Sequence, residues 1–300
     1  MDIQLLIENL SHSDETERLF AADDLGMANT PEAVDPLIAR LSIEPSRAVR
    51  EMIVLALRKT ESDAVMEHAV RLLGSEDPYI RNEMAALLQG KGEAALPWLT
   101  KAQQHLDADV RKLALEAACQ IPGEHPAALL TAALADPDPN VVISAVEIIG
   151  TTASEGFKKP LEELAREESS PMLLLAVIDA LGTIGDERSL QILLERFGSN
   201  GELSFPIIQA VGNLGDSRHL EFLESHSDTP HLRQEIIDAL LNIQRRGKLT
   251  ELPASWLVRL EAWFRDDSAQ EPKQDCIALL QGLKSQPAAV SLATQLADQA

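Results

Sequence analysis

Lysine and arginine are in short supply in this chain: 26 of them stand against 48 aspartates and glutamates, a formal net charge of −22. Affinity for a phosphate backbone comes from neutralising phosphates with cationic side chains, so this balance argues against nucleic acid as a partner. Aromatic residues make up 3% of the chain. Sheets favour aromatic and β-branched residues, whereas this sequence is dominated by Leu, Ala, Ile and Glu, a mixture that favours helices. No stretch reaches the roughly 18 consecutive apolar residues of a membrane span. Met1-Asp2-Ile3-Gln4 lacks the basic start and apolar run of a signal peptide, so a cytoplasmic protein with no membrane partner is expected. Neither a Gly-x-Ser-x-Gly elbow nor a phosphate-cradling Gly-rich loop occurs; Arg246-Gly247-Lys248-Leu249-Thr250 is only superficially similar to the latter. These gaps leave no candidate catalytic or cofactor-binding residue.

What the chain does have is a period. A pattern Asp-x-x-x-Arg-x-x-Ala-x-x-x-Leu-Gly recurs with drift, and its arginine column falls on Arg18, Arg50, Arg81, Arg111, Val142, Leu174, Ser204, Arg233 and Lys273. The steps are 32, 31, 30, 31, 32, 30, 29 and 40 residues. Seven residues beyond each anchor stands an apolar residue: Leu25, Leu57, Leu88, Ala118, Ile149, Leu181, Val211, Leu240 and Leu280. A sustained period of this length is the signature of stacked repeats. It also separates Cys119 from Cys276 by five repeats, too far for a disulfide, and both read as free core thiols.

Each repeat reads as two helices. The second starts three or four residues before the anchor, where Asp77-Pro78, Asp138-Pro139, Ser170-Pro171 and Thr229-Pro230 share one register; Asp14 and Asp107 hold the same column. A small polar side chain caps the free amides of a first turn, and proline next to it has no amide to leave unsatisfied. Apolar residues then recur at helical spacing, as in Ile80, Met84, Leu87 and Leu88, with small Ala residues letting neighbouring helices approach. Gly26, Gly90, Gly123, Gly150, Gly182 and Gly185 read as helix ends. First helices are expected over Val34–Leu41, Val65–Leu73, Ala94–Leu106, Ala127–Leu134, Lys159–Ala165, Ser189–Phe197 and His219–Leu223. Asp2–Leu10 opens the array and Ala288–Ala297 caps it. The 40-residue step breaks the register near 244–256, placing about nine extra residues in Arg245–Ser255 and leaving 251–300 as a C-terminal repeat and cap. That break reads as a loosened junction or as a binding loop.

Leu181–Phe197 (LGTIGDERSLQILLERF) and Val211–Leu223 (VGNLGDSRHLEFL) share the turn Leu/Val-Gly-x-x-Gly-Asp-x-Arg-x-Leu. This resembles the short HEAT-like repeats of the phycobilisome-lyase type, widespread in bacteria, and the resemblance covers nearly the whole chain. It implies an all-α fold, a right-handed α-α superhelix of about nine two-helix repeats with a C-terminal capping helix, as a single repeat domain over 1–300. The function it implies is foremost that of a protein-binding scaffold, with a bilin lyase or phycobiliprotein chaperone as the alternative. The iron-dependent hydroxylases built on similar repeats use His-Glu pairs as ligands. Here none of His12, His68, His105, His125, His219, His226 and His231 precedes a Glu, and His219, His226 and His231 lack a completing ligand set. No metal is therefore assigned.

The recurrent arginines read as a structural ladder, each binding carboxylates and helix ends of its own or the next repeat. Positions one, two and five after the anchor lie between the core positions and should face outward, on a surface that the resemblance makes concave. The candidate groove comprises Met52, Glu83, Leu113, Glu116, Ile143, Glu147, Leu175, Asp179, Phe205 and Asp238. Five of the nine fifth positions are acidic and none is basic, so a basic or amphipathic protein segment is the expected partner. A secondary candidate is Trp256, Arg259, Trp263 and Phe264, where a tetrapyrrole could stack if the chain served bilins.

Overall fold

The computed structural model describes residues 2–123, 127–168, 170–198, 201–266 and 272–299; His125 lies outside them. Every regular element among the described residues is helical, and they fall into two compact units, Met1–Ala145 and Val146–Ala300. The first contains α1 (Ile3–Asn9), α2 (Glu15–Ala28), α3 (Val34–Leu41), α4 (Arg47–Lys59), α5 (Asp63–Leu72), α6 (Pro78–Gly90), α7 (Leu96–Ala102), α8 (Ala108–Cys119) and α9 (Ala127–Leu134). The boundary falls inside α10 (Pro139–Thr151). The second contains α11 (Lys158–Glu167), α12 (Pro171–Ile184), α13 (Glu187–Glu195), α14 (Ser204–Leu214), α15 (Leu220–His226), α16 (Arg233–Arg245), α17 (Ala254–Arg265), α18 (Pro272–Gly282) and α19 (Pro287–Ala297). No helix among the described residues is long and apolar enough to cross a membrane.

In the first unit the second helices α2, α4, α6 and α8 pack side by side in succession, as do the first helices α3, α5 and α7. In the second unit α12, α14, α16 and α18 form the corresponding row, with α11 and α13 against it and α17 and α19 at its C-terminal end. Third, fourth and seventh positions after each anchor fill the layer between the rows: Ile53, Val54 and Leu57 in α4, Val177, Ile178 and Leu181 in α12, Ile236, Ile237 and Leu240 in α16 are all buried. Each such side chain contributes about 1.5–3 kcal/mol of transfer free energy, which is what holds a short helix in place.

The helix starts follow the capping column in part. Side chains of Asp14, Ser46, Asp77, Asp107 and Asp138 accept first-turn amides at 2.7, 3.4, 2.9, 2.9 and 2.8 Å. Ser170 and Thr229 make no such bond. Thr229 instead leads into a 3-10 turn, Pro230–Leu232, and α16 begins only at Arg233. The expected helix over Ala94–Leu106 is shorter, because a 3-10 turn occupies Gly92–Ala95 and α7 ends at Ala102.

Three of the glycines read as helix ends are interior instead. Gly26, Gly150 and Gly182 lie within α2, α10 and α12. A Cβ on Gly26 would stand 2.8 Å from the Ala56 Cα of α4, and one on Gly150 would stand 3.0 Å from the Ala180 Cα of α12. Gly212 repeats the contact at 2.7 Å from the Ala239 Cα of α16. The small residues are there because adjacent second helices touch backbone to backbone, not because the helix stops. Gly185 does terminate α12, and Asp186 after it caps α13 with a reciprocal bond to Ser189.

The register break is tied down. Arg246 donates to the Gly212 carbonyl at 3.0 Å and to that of Gly215, and Gly247 takes φ +71 to turn the chain. Leu249 and Leu252 are buried, and Gln286 bonds the Leu252 amide and carbonyl at 2.9 and 2.7 Å. The extra residues thus lead into α17 as a bonded connection.

Replacing Gly212 or Gly26 by Ala should destabilise the protein by about 1–3 kcal/mol through overpacking. Gly90→Ala, whose Cβ would meet nothing within 4 Å, should be neutral or gain up to about 1 kcal/mol. Thermal melting of the three variants checks this; equal shifts in all three would refute the backbone-contact account.

Candidate partner-binding face

The faces left open are set by the helix period. With positions three, four and seven buried, the fifth position points away from the core. Leu55, Ala86, Glu147, Asp179, Gln209 and Asp238 are exposed, and Asp23 and Glu116 are half-buried. The other columns are less uniform. Phe20 is 58% and Phe205 44% exposed, whereas Met52, Glu83, Leu113, Ile143 and Leu175 are half-buried and Ser144 is buried. Large apolar groups in this state touch the core with one edge and water with the other.

The two units differ in how their acids are matched. In the first, Asp23 pairs with Lys59 at 3.4 Å, Glu83 with Arg58 at 2.8 Å and Glu116 with Lys112 at 3.9 Å; the Ser144 hydroxyl also donates to Glu116 at 3.2 Å. In the second, Glu147 and Asp179 have no side-chain partner among the described residues. Asp238 accepts from Gln234 Nε2 at 3.2 Å, and the same amide donates to Asp275 at 3.0 Å. Burial foremost, and then the Asp275 carboxylate, push the Asp238 carboxyl above its ordinary value. Exposed acid beside half-buried apolar groups is complementary in chemistry to a cationic, partly apolar segment.

The recurrent arginines are consumed internally. Arg18 grips both oxygens of Glu44 at 2.9 Å while its Nη1 donates to the His12 and Ser13 carbonyls at 3.0 Å. Arg111 repeats the arrangement with Asp136, at 2.7 Å to each oxygen, and the carbonyls of His105 and Leu106 at 2.9 and 3.1 Å. Arg50 bonds Asp77 at 2.5 Å and covers the Tyr79 ring, Arg81 bonds the Ser75 carbonyl at 2.6 Å, and Arg233 bonds Asp266 at 2.7 Å. Burial alone would raise the Glu44 carboxyl, but bonds from Arg18, the Ser46 amide and Arg40 hold it below its ordinary value. Arg111, above all, does the same for Asp136.

Trp256, Trp263 and Phe264, read as a stacking surface, lie in the core of the second unit; Trp256 is 0% exposed and meets Trp263 edge to face at 6.2 Å. Their spacing on α17 is that of a buried stripe, and aromatic area is worth most where water is excluded. Arg259 bonds Asp228 at 2.5 Å. The three histidines near α15 are not gathered either. His219 is buried and its Nδ1 accepts the Asp216 amide at 3.1 Å, and His226 packs among Phe197 and Phe222. A cleft of about 340 Å³ lined by Glu67, Val70, Trp98, Lys101, Ala102 and His105 escaped the sequence reading, because its residues converge only when α5 meets α7.

A family model for HEAT repeats matches residues 3–89, 66–143 and 126–204. Among solved structures, importin beta aligns over 94% of this chain and 48% of its own, at 13% identity and a TM-score of 0.58. An engineered protein aligns over 99% of this chain and 92% of its own, at 18% identity and a TM-score of 0.45. The complex of CpcE and CpcF of phycocyanin lyase from Nostoc sp. aligns over 95% and 94%, at 19% identity and a TM-score of 0.31. No curated protein matches.

Removing Arg18 should cost about 2 kcal/mol, because it strips the bidentate partner from a buried carboxylate that keeps only Arg40 and the Ser46 amide. Glu44 is held below its ordinary value, so its stabilising effect is complete above that value, 4.5, and is lost as pH falls through the depressed one. The melting difference between wild type and Arg18→Leu should therefore narrow from pH 7 to pH 3. A difference constant across that range would contradict the pairing.

Proposed function

The chain belongs to the HEAT-repeat family, and on that footing we propose that it is a non-catalytic scaffold or adaptor that holds a basic or amphipathic protein segment on the exposed face of its second helices. The observation that carries this is the fifth-position column, which is turned outward, acidic at Asp23, Glu116, Glu147, Asp179 and Asp238, and free of basic residues. Beside it, Met52, Glu83, Leu113 and Ile143 in the first unit, and Leu175 and Phe205 in the second, offer apolar and further acidic contacts. Apolar groups rimmed by charge suit a protein surface of complementary sign, where charge steers encounter and apolar contact slows release. No cofactor or metal enters this reading. The bilin-lyase alternative relied on Trp256, Trp263 and Phe264 as a stacking platform, and their burial leaves it without one.

The test is a pull-down from host lysate at low and moderate salt, comparing wild-type bait with Glu116→Lys, Glu147→Lys and Asp179→Lys combined. A partner that binds wild type, weakens with salt and is lost with the reversed charges is the expected result. A partner retained by the variant, with melting unchanged, would move the site off this face.

A further inference from the structure

We propose that the segment bound by the second unit is an amphipathic α-helix with a contact every seven positions, basic at all but the third of four, and apolar residues three or four positions from the middle two. This rests on the acidic-face reading and adds the partner's conformation and spacing to it. Charge complementarity selects the second unit. Carboxylates facing outward in the first unit already have Lys59, Arg58 and Lys112, whereas α10, α12 and α14 contain neither Lys nor Arg. Glu147 and Asp179 therefore stand unpaired, and Asp238 and Asp275 share one amide.

Two parallel rows cross that face. Glu147, Asp179, Gln209 and Asp238 occupy the fifth position on successive second helices, and Leu175 and Phe205 the first position on two of them. Adjacent helices touch at Gly150–Ala180 and Gly212–Ala239, so each row steps by about 8–10 Å. First and fifth positions are four residues apart on one helix, which separates the rows by about 6 Å. An occupant must match both spacings at once. Seven residues of α-helix advance about 10.5 Å and return to nearly the same face, and neighbours at three or four residues are turned by about 40–60° around the axis, so that long side chains at the two positions form adjacent rows. A polyproline helix repeats every three residues and about 9.3 Å, which fits one row, but its next two side chains turn away from the surface. A β-strand sends alternate residues to opposite faces and likewise presents a single row. Only the α-helix supplies a basic and an apolar row side by side. Gln209 interrupts the acids, so the third of four contact positions takes a neutral polar residue.

The experiment titrates the full chain with labelled 24-residue peptides, followed by fluorescence anisotropy. The first peptide carries Lys at positions 1, 8 and 22, Gln at 15, and Leu at 12 and 19, four residues after the positions that face Asp179 and Gln209. The second has the same composition with Lys moved to the face opposite Leu; the third is proline-rich with Lys every third residue. The first should bind, the other two at least about tenfold more weakly, and Asp179→Lys should weaken the first by about tenfold while Glu221→Lys, an equal charge change on the exposed side of α15, leaves it unchanged. Equal binding of the first two peptides, or tighter binding of the third, overturns the helical spacing and leaves the acidic face standing. If no peptide binds while pull-down still depends on the reversed charges, the helix is wrong and the face is not. Binding of the first peptide that ignores Asp179→Lys overturns both.

Discussion

Adjacent second helices meet backbone to backbone, at Gly26 on Ala56 in the first unit and at Gly150 on Ala180 and Gly212 on Ala239 in the second. Contact this close fixes the rest of the cross-section. At these crossings the eighth position of one helix and the sixth of the next are small, and bulky side chains at positions three, four and seven fill the layer beneath. Helical geometry then leaves the first, second and fifth positions for water. The face available to a partner is thus a residue of the packing, and its chemistry can vary from repeat to repeat without touching what holds the repeats together.

The arginine straps act across the same step from the other side. Arg18 and Arg111 each join the loop before their own helix to a carboxylate some 25 residues on, so one guanidinium fixes a turn and the next repeat together. Bidentate pairing with further carbonyl acceptors engages most of the guanidinium's donors, which makes a buried charge tolerable. Where the anchor becomes Val142, Leu174 or Ser204, no such strap is possible, and the second unit uses first-helix contacts instead: Lys158 to Asp186 at 2.5 Å, Ser189 to the buried Glu162 at 2.8 Å. Basic residues retained for those contacts are unavailable to the outward face, which is one reason its acids there go unmatched.

Much of this is legible in sequence because periodicity reports burial directly. The anchors, the capping aspartates and the core triplets are local or strictly repeated, and Val34–Leu41 and Ala127–Leu134 are helices at the bounds the pattern predicts. The misreadings share a cause. Gly26, Gly150 and Gly182 fit the rule for helix ends, yet glycine also serves close approach, and only the neighbouring helix tells the two apart. Trp256, Trp263 and Phe264 looked exposed because they follow the register break; α17 is an ordinary first helix with its aromatics inward. Which outward acids are neutralised was beyond reach, since Lys59 with Asp23 and Arg58 with Glu83 are pairs between repeats, and the second of these needs side-chain reach that spacing does not encode.

Unmatched carboxylates on a packed face carry a free-energy cost before any partner arrives. Asp238 and Asp275 draw on one amide, and Asp238 is partly desolvated, so the unbound protein holds like charges closer than solvation favours. A cation delivered there regains that repulsion as well as forming its own bond, and the gain is greater than at Glu83, where Arg58 must first be displaced. Selectivity follows from the same difference. A neutral apolar segment could cover Leu175 and Phe205, but it would bury Asp179 without a partner, and an unpaired buried charge costs more than the added apolar area returns. On the proposed reading, the acids on the second unit would act chiefly by excluding segments that lack a basic row, and the apolar row would set how long a matching one stays.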